Sequence, residues 1–242
     1  MRLPYVPNPP QFENGDDQEI VDRVKRRRGE DGLLELDLSL LHSPTVADGW
    51  NSFLGSIRAK TTISASIRET AICRVAVLNK AWYEWEQHAP LLRACPNVKE
   101  EGIQHILLAA PRTDTHSKKL DGVQGAGIAP LSNPFSAART TIESMPAALA
   151  DLPHANLSEA GGEGHLGEGA LDEKHLAVIA YTDAMTLDVH VPDVVFERLK
   201  QSFTDREVVE ITATIAAYNC VSRFLVALDV GERNAQSGLA VY

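Results

Sequence analysis

The stretch from Ser66 to Leu92, SIRETAICRVAVLNKAWYEWEQHAPLL, constrains the fold most, because two helical patterns meet inside it at Asn79-Lys80. Ala71, Ile72, Val75 and Leu78 recur at the spacing of one buried helix face. Ser66 and Glu69 ahead of them form an S-x-x-E pattern, which predicts a capping box and a helix start near Ser66. After Asn79-Lys80 a second amphipathic run carries Tyr83, Glu84, Trp85 and His88, and Pro90 fits inside it only if the helix bends. Folded back as a hairpin, the helices bring Glu69 and His88 to similar heights, both about 14–15 Å from the turn at a rise of about 1.5 Å per residue. Glu84 and His88, at i,i+4, share a face. Two carboxylates and an imidazole are therefore candidates for one cleft, since charged groups placed within apolar helix faces need partners. Each has a plainer alternative. Glu69 would serve only the capping box, Glu84 and His88 would be an exposed pair worth about 0.2–0.5 kcal/mol, and Tyr83 and Trp85 would simply pack.

The same residues, RET-AICRVA-LN-A-YEW--H, resemble the core motif of the carboxymuconolactone decarboxylase family, which also includes AhpD-like disulfide reductases. The resemblance extends to RLPYVPNPP from Arg2, LLHSP from Leu40, GWNSFLG from Gly49 and YNCVSRFLVAL from Tyr218. It implies an all-α, AhpD-like fold and assembly into a trimer or hexamer. In the reductase branch a glutamate precedes a C-x-x-C and a histidine. Glu69 and His88 fall at the matching places, while Ala81 and Glu84 hold the cysteine places. The resemblance therefore implies the decarboxylase-like branch and argues against disulfide exchange.

At 242 residues and 44% hydrophobic content, the chain is long enough to bury a sizeable core, and a single domain is expected over 1–242. A formal charge of −10 argues against a nucleic-acid partner. The one basic run, Lys25 to Arg28, reads as a solvated helix end, or alternatively as an anion anchor reaching a neighbour's active site. Cys73, Cys95 and Cys220 lie far apart in or beside apolar helical patterns, as suits buried free thiols in a reducing compartment. No signal-peptide core is seen at the amino terminus, and no apolar run long enough to span a bilayer is recognised, so a soluble cytoplasmic protein with no membrane partner is expected.

Residues 1–15, with Pro4, Pro7, Pro9 and Pro10, should be an extended arm, suited to crossing a neighbouring subunit. Helices are expected over Asp16 to Arg28, Val46 to Arg58, Val98 to Ala109, Leu171 to Leu187 and Pro192 to Phe203, and from Thr204 to Leu228. Leu33 to Leu41 reads as a short helix or extended link. Between them, 113–169 is rich in Gly, Ser, Pro and Ala and reads as an insert or lid; His154 and His165 within it read as loop histidines rather than metal ligands. Placing SIRETAICRVA beside TDREVVEITATIA pairs Arg68-Glu69 with Arg206-Glu207, as an internal duplication would. Glu84 then corresponds to Ser222 and His88 to Val226, so the first copy alone holds the acid–imidazole chemistry.

The leading functional expectation is a cofactor-free lyase that decarboxylates a small carboxylated lactone, or a related unsaturated or oxo acid, through an enolate-like intermediate. Such chemistry needs a cation for the carboxylate, stabilisation of an oxyanion and a proton donor. His88 suits the donor, Glu84 or Glu69 would support it, Arg74 or Arg223 would place the carboxylate, and Asn219 would orient it. Tyr83 and Trp85 are candidate substrate contacts. Dehydration or isomerisation on the same scaffold, a non-catalytic oligomeric binding protein, and metal chemistry through Glu69, Glu84 and His88 remain alternatives.

Overall fold

The computed structural model describes residues 1–111 and 171–235. The expected insert at 113–169, with His154 and His165, lies outside the described residues. Nine α-helices occur among those described, and no strand: α1 Gly15–Arg28, α2 Glu35–Leu40, α3 Pro44–Ala59, α4 Ala65–Leu78, α5 Trp82–Arg93, α6 Glu100–Leu108, α7 Glu173–Leu187, α8 Asp193–Ser202 and α9 Asp205–Leu228. Their boundaries follow local chemistry. Asn14 caps α1, whose first turn is acidic and last turn basic, and Gly29 at φ 65° stops it. Thr204 and Glu207 form the expected capping box on α9. Pro90 sits inside α5 near its end, where its carbonyl still accepts from the Ala94 amide.

The start of α4 differs from the expected one. Its cap is Ser64, whose hydroxyl accepts from the Ile67 amide, and Ser66 is buried in the first turn. The Ser66/Glu69 pair is therefore no capping box, and the carboxylate of Glu69 is released for other use. It follows too that α4 and α9 begin two residues out of the register assumed by the proposed duplication.

Helix α4 is the centre of the fold, packing against α5, α6, α7 and α9. Every residue from Ser66 to Ala76 except Arg68 is buried, as expected for a helix surrounded on all sides. Ile67, Ala71, Ile72 and Val75 enter one apolar cluster with α3, α7 and α9. Cys73 and Ala76 enter a second with Trp85, Leu92, Ile103, Ile106 and Ile179. Trp50 is half-buried against Phe224, with ring centroids 5.2 Å apart. Helix α9, 24 residues long and holding an 18-residue stretch of mean hydropathy 1.4, is long and apolar enough to cross a membrane, contrary to the sequence expectation. In this fold its buried face belongs to the core.

The proline-rich arm is extended, yet it lies along its own chain. The Arg2 amide donates to Leu228 O at 2.8 Å, and the Val6 amide donates to Leu38 O at 3.3 Å. The Tyr5 hydroxyl accepts from the Gly231 amide at 2.9 Å. Gly231 is in the left-handed region, at φ 74°, and a Cβ there would fall 2.3 Å from Cδ2 of Tyr83.

Candidate acid–base site

The hairpin of α4 and α5 brings the side chain of Glu69 to His88, with Oε2 2.7 Å from Nδ1. Glu69 also accepts from Arg68 Nε at 3.1 Å. Burial works to raise the pKa of this carboxyl, but the His88 hydrogen bond and the nearby charges of His88 and Arg68 hold it below the ordinary value. Glu69 is therefore an anion that only accepts. The Nδ1 of His88 carries the proton, and Nε2 is left for proton transfer. Burial lowers the pKa of His88, with Glu69 opposing. The resting imidazole is thus neutral near pH 7.

Beyond His88, α9 supplies Tyr218 and α3 supplies Arg58. The rings of His88 and Tyr218 meet edge to face with centroids 5.1 Å apart. Arg58 Nε donates to the Tyr218 hydroxyl at 2.7 Å, and the guanidinium carbon lies 5.7 Å from the ring centroid. Burial pushes the Tyr218 phenol up to about 12 against the pull of Arg58. Because that hydroxyl accepts from Arg58, its own proton is free to be donated. Neither residue was singled out from the sequence. The Tyr218 signal lay in the YNCVSRFLVAL segment, whereas Arg58 reads there as an ordinary polar residue at the end of a helix.

Glu84 takes a different position from the expected one. It is 2% exposed, and both carboxyl oxygens face Ser222 Oγ, at 3.0 and 3.1 Å. No hydrogen bond joins it to His88 among the described residues, so the carboxylate that supports the imidazole is Glu69. Burial raises the Glu84 pKa well above the ordinary value, with Ser222 and Arg58 opposing, which favours the neutral carboxyl. The three side chains thus do not converge as one ligand set, and no group of three or more His, Cys, Asp or Glu among the described residues is arranged to hold a metal.

The other expected contacts are structural. Arg74, 1% exposed, donates to both Asp183 oxygens at 2.6 and 2.9 Å and to the carbonyls of Ile106 and Ala109 at 2.8 and 3.0 Å. All three of its nitrogens are used to tie α4 to α7 and to the open end of α6, and none is left for a substrate carboxylate. Asn219 links Asn79, at 3.1 Å, to Thr186, at 3.0 Å, and exposed Arg223 folds back onto it at 2.6 Å. These two form an internal polar contact. Trp85 fills the second apolar cluster, and Tyr83 donates to Glu35 Oε2 at 3.0 Å, so both are packing residues here.

No family model matches the chain, and no curated protein matches it by sequence. Solved structures do match. An uncharacterised peroxidase-related protein from Silicibacter sp. superposes with a TM-score of 0.57 at 12% identity, over 94% of this chain and 91% of that one. A protein of unknown function from Agrobacterium tumefaciens, assigned without established activity to AhpD antioxidant defence, superposes with a TM-score of 0.50 at 16% identity, over 78% of this chain and 90% of that one. At such identities the likeness establishes architecture alone, and the chain has an AhpD-like helical fold.

Proposed function

We propose that this protein is a cofactor-free lyase that decarboxylates a small carboxylated lactone, or a related unsaturated or oxo acid, through an enolate-like intermediate. The observation that carries the reading is the 2.7 Å contact between Glu69 and His88, which leaves Nε2 for proton transfer in an imidazole whose ring meets that of Tyr218, the partner of Arg58. In the reaction the bond between carbon and carboxylate breaks, carbon dioxide leaves, and the electron pair moves into the adjoining unsaturated carbonyl. Arg58 and the Tyr218 hydroxyl stabilise the resulting enolate oxygen. His88 Nε2, having taken a proton from solvent, delivers it to carbon, and Glu69 balances the imidazolium meanwhile.

A second reading, isomerisation or dehydration, is favoured by the lowered pKa of His88, because a neutral imidazole is ready to remove a proton. The two predict opposite pH limbs. A proton donor loses activity as pH rises through its depressed pKa, and a base gains it. Thiol exchange, the chemistry of the reductase branch of the family this sequence resembles, is disfavoured. Burial raises the pKa of both Cys73 and Cys95, whereas thiol nucleophiles need depressed values.

The test is to incubate the protein with carboxylated lactones and oxo acids and to follow loss of carbon dioxide by mass, in parallel with His88→Ala. Equal activity in the variant would remove the site. Assembly into a homo-oligomer is part of the proposal, and light scattering showing only a 26.4 kDa species would refute it.

A further inference from the structure

The proline-rich arm lies along its own chain, so a second copy has to be met by another surface. Helix α9 is apolar enough for a bilayer, yet only 44% of its most apolar 18-residue stretch is buried in the protein. Its inner face, with Ile211, Ile215, Tyr218 and Leu225, fills the first apolar cluster. Its outer face carries Val209, Ala213, Ala216, Cys220 and Ala227, all exposed except the half-buried Ala213. Their steps of three, four and seven residues keep one line along the helix, the spacing of a coiled-coil seam. Arg223 holds the remaining seam position, but it lies back along its own helix, donating to Asn219 O and Oδ1 at 2.9 and 2.6 Å.

Helix α3 extends this surface. Phe224, between Cys220 and Ala227 on α9, meets the ring of Trp50 with centroids 5.2 Å apart. Trp50 in turn stands between Val46 and Phe53 on α3, which are 52% and 50% exposed. The two outer faces are therefore continuous, with large side chains on α3 beside small ones on α9, a ridge next to a groove. Neither line of residues holds a carboxylate, whereas the formal net charge of −10 makes two copies repel over most of their remaining surface.

We propose that the outer faces of α9 and α3 form a twofold interface with a second copy of this chain, the two α9 helices packing antiparallel with Ala216 of one copy against Cys220 of the other. The antiparallel sense opposes the helix dipoles and keeps the acidic first turns, with Asp205 and Glu207, at opposite ends of the seam. Faces of 24 and 16 residues, at about 1.5 Å per residue and about 10 Å across a packed helix, cover about 600 Å². A pair of them buries about 1,200 Å², the lower end of the range for specific interfaces. A bilayer is a poorer occupant, because the inner face of α9 is committed to the core. The inference rests on the assembly proposed above and refines it: a self-complementary contact gives an even number of copies, a dimer or a hexamer, and excludes a lone trimer.

Light scattering at micromolar concentration and maleimide labelling test it. The parent should scatter as an even multiple of 26.4 kDa, and Ala216→Glu, which puts a carboxylate into both halves of the apolar seam, should halve that mass. Ala227→Glu, at the end of the seam, should act in the same direction, and Gln201→Glu, the same charge change on exposed α8 surface, should leave the mass unaltered. Cys73 and Cys95 are buried, so a monofunctional maleimide reads Cys220, whose labelling should be slow in the parent and fast in Ala216→Glu. Circular dichroism verifies that each variant is folded. A trimer, or an assembly whose mass survives both seam variants, overturns the interface while the homo-oligomer stands, and a 26.4 kDa species overturns both. Flotation of the parent with phosphatidylcholine vesicles gives the face to lipid and overturns the proposal as well. None of these readouts depends on turnover, so failure of the acid–base reading is a separate result.

Discussion

Arg74 and Arg58 are both arginines on core-facing helices, one turned to α7 and the other to α9, and they occupy opposite chemical situations. Arg74 meets four acceptors, including both oxygens of a buried carboxylate, and is 1% exposed. Among the described residues, Arg58 spends one nitrogen on a phenol that has a proton of its own to give. A saturated guanidinium is a strut, because any new partner must displace an existing one at full desolvation cost. An unsaturated one beside a buried imidazole is available for chemistry. Cation type alone does not separate these roles, and hydrogen-bond saturation does.

The contrast breaks most visibly at Arg74. Arg74→Met should cost about 3–5 kcal/mol by leaving Asp183 without its bidentate partner in the core. Arg58→Gln should change stability by less than about 1 kcal/mol while impairing turnover. Urea denaturation of the two variants measures the difference, and equal losses would erase the distinction. His88→Ala comes next. Turnover should fall by about a hundredfold or more, with thermal stability within about 1–2 kcal/mol of the parent.

Glu69→Gln sharpens the same point more gently. Glutamine keeps the reach to Nδ1 but loses the charge that balances an imidazolium, so turnover should fall about tenfold, equivalent to about 1.4 kcal/mol in the barrier. Unaltered kinetics would return Glu69 to a structural role. The smallest effect is expected at Glu84. Below about pH 4.5 its carboxyl is protonated in folded and unfolded chains alike. As pH rises the unfolded chain releases the proton first, because the folded pKa is raised, and stability falls. Glu84→Gln should remove this dependence, so that denaturation midpoints at about pH 5 and about pH 8 converge relative to the parent. An unchanged pH slope would show that Glu84 is charged in the fold.

The helices were legible in the sequence because their signals are local: the Asn14 cap and Gly29 stop of α1, and the Thr204–Glu207 box of α9. The Glu69–His88 contact was legible too, since counting back from a tight turn is simple geometry at a fixed helical rise. Ser66 misled because two serines compete for one cap, and the backbone gave it to Ser64, at φ −62° and ψ 155°, leaving Ser66 helical. Arg58 and Tyr218 were missed for a different reason. They lie 160 positions apart, and only tertiary packing pairs them. The same limit explains Arg74, Arg223 and Asn219, whose partners come from other helices or from turns of the same helix already in use.

Gly231 has a bearing on how such a site can change. Its missing side chain gives the Tyr83 ring its seat, with no clearance for even one methyl group, and Tyr83 immediately precedes Glu84 on the helix that also carries His88. Alanine there must push the ring, and the helix beneath it, away from the end of α9. Position 231 is thus a setscrew for the attitude of α5. Small residues placed at it adjust two proton-bearing side chains at once, while leaving every group in the site chemically intact.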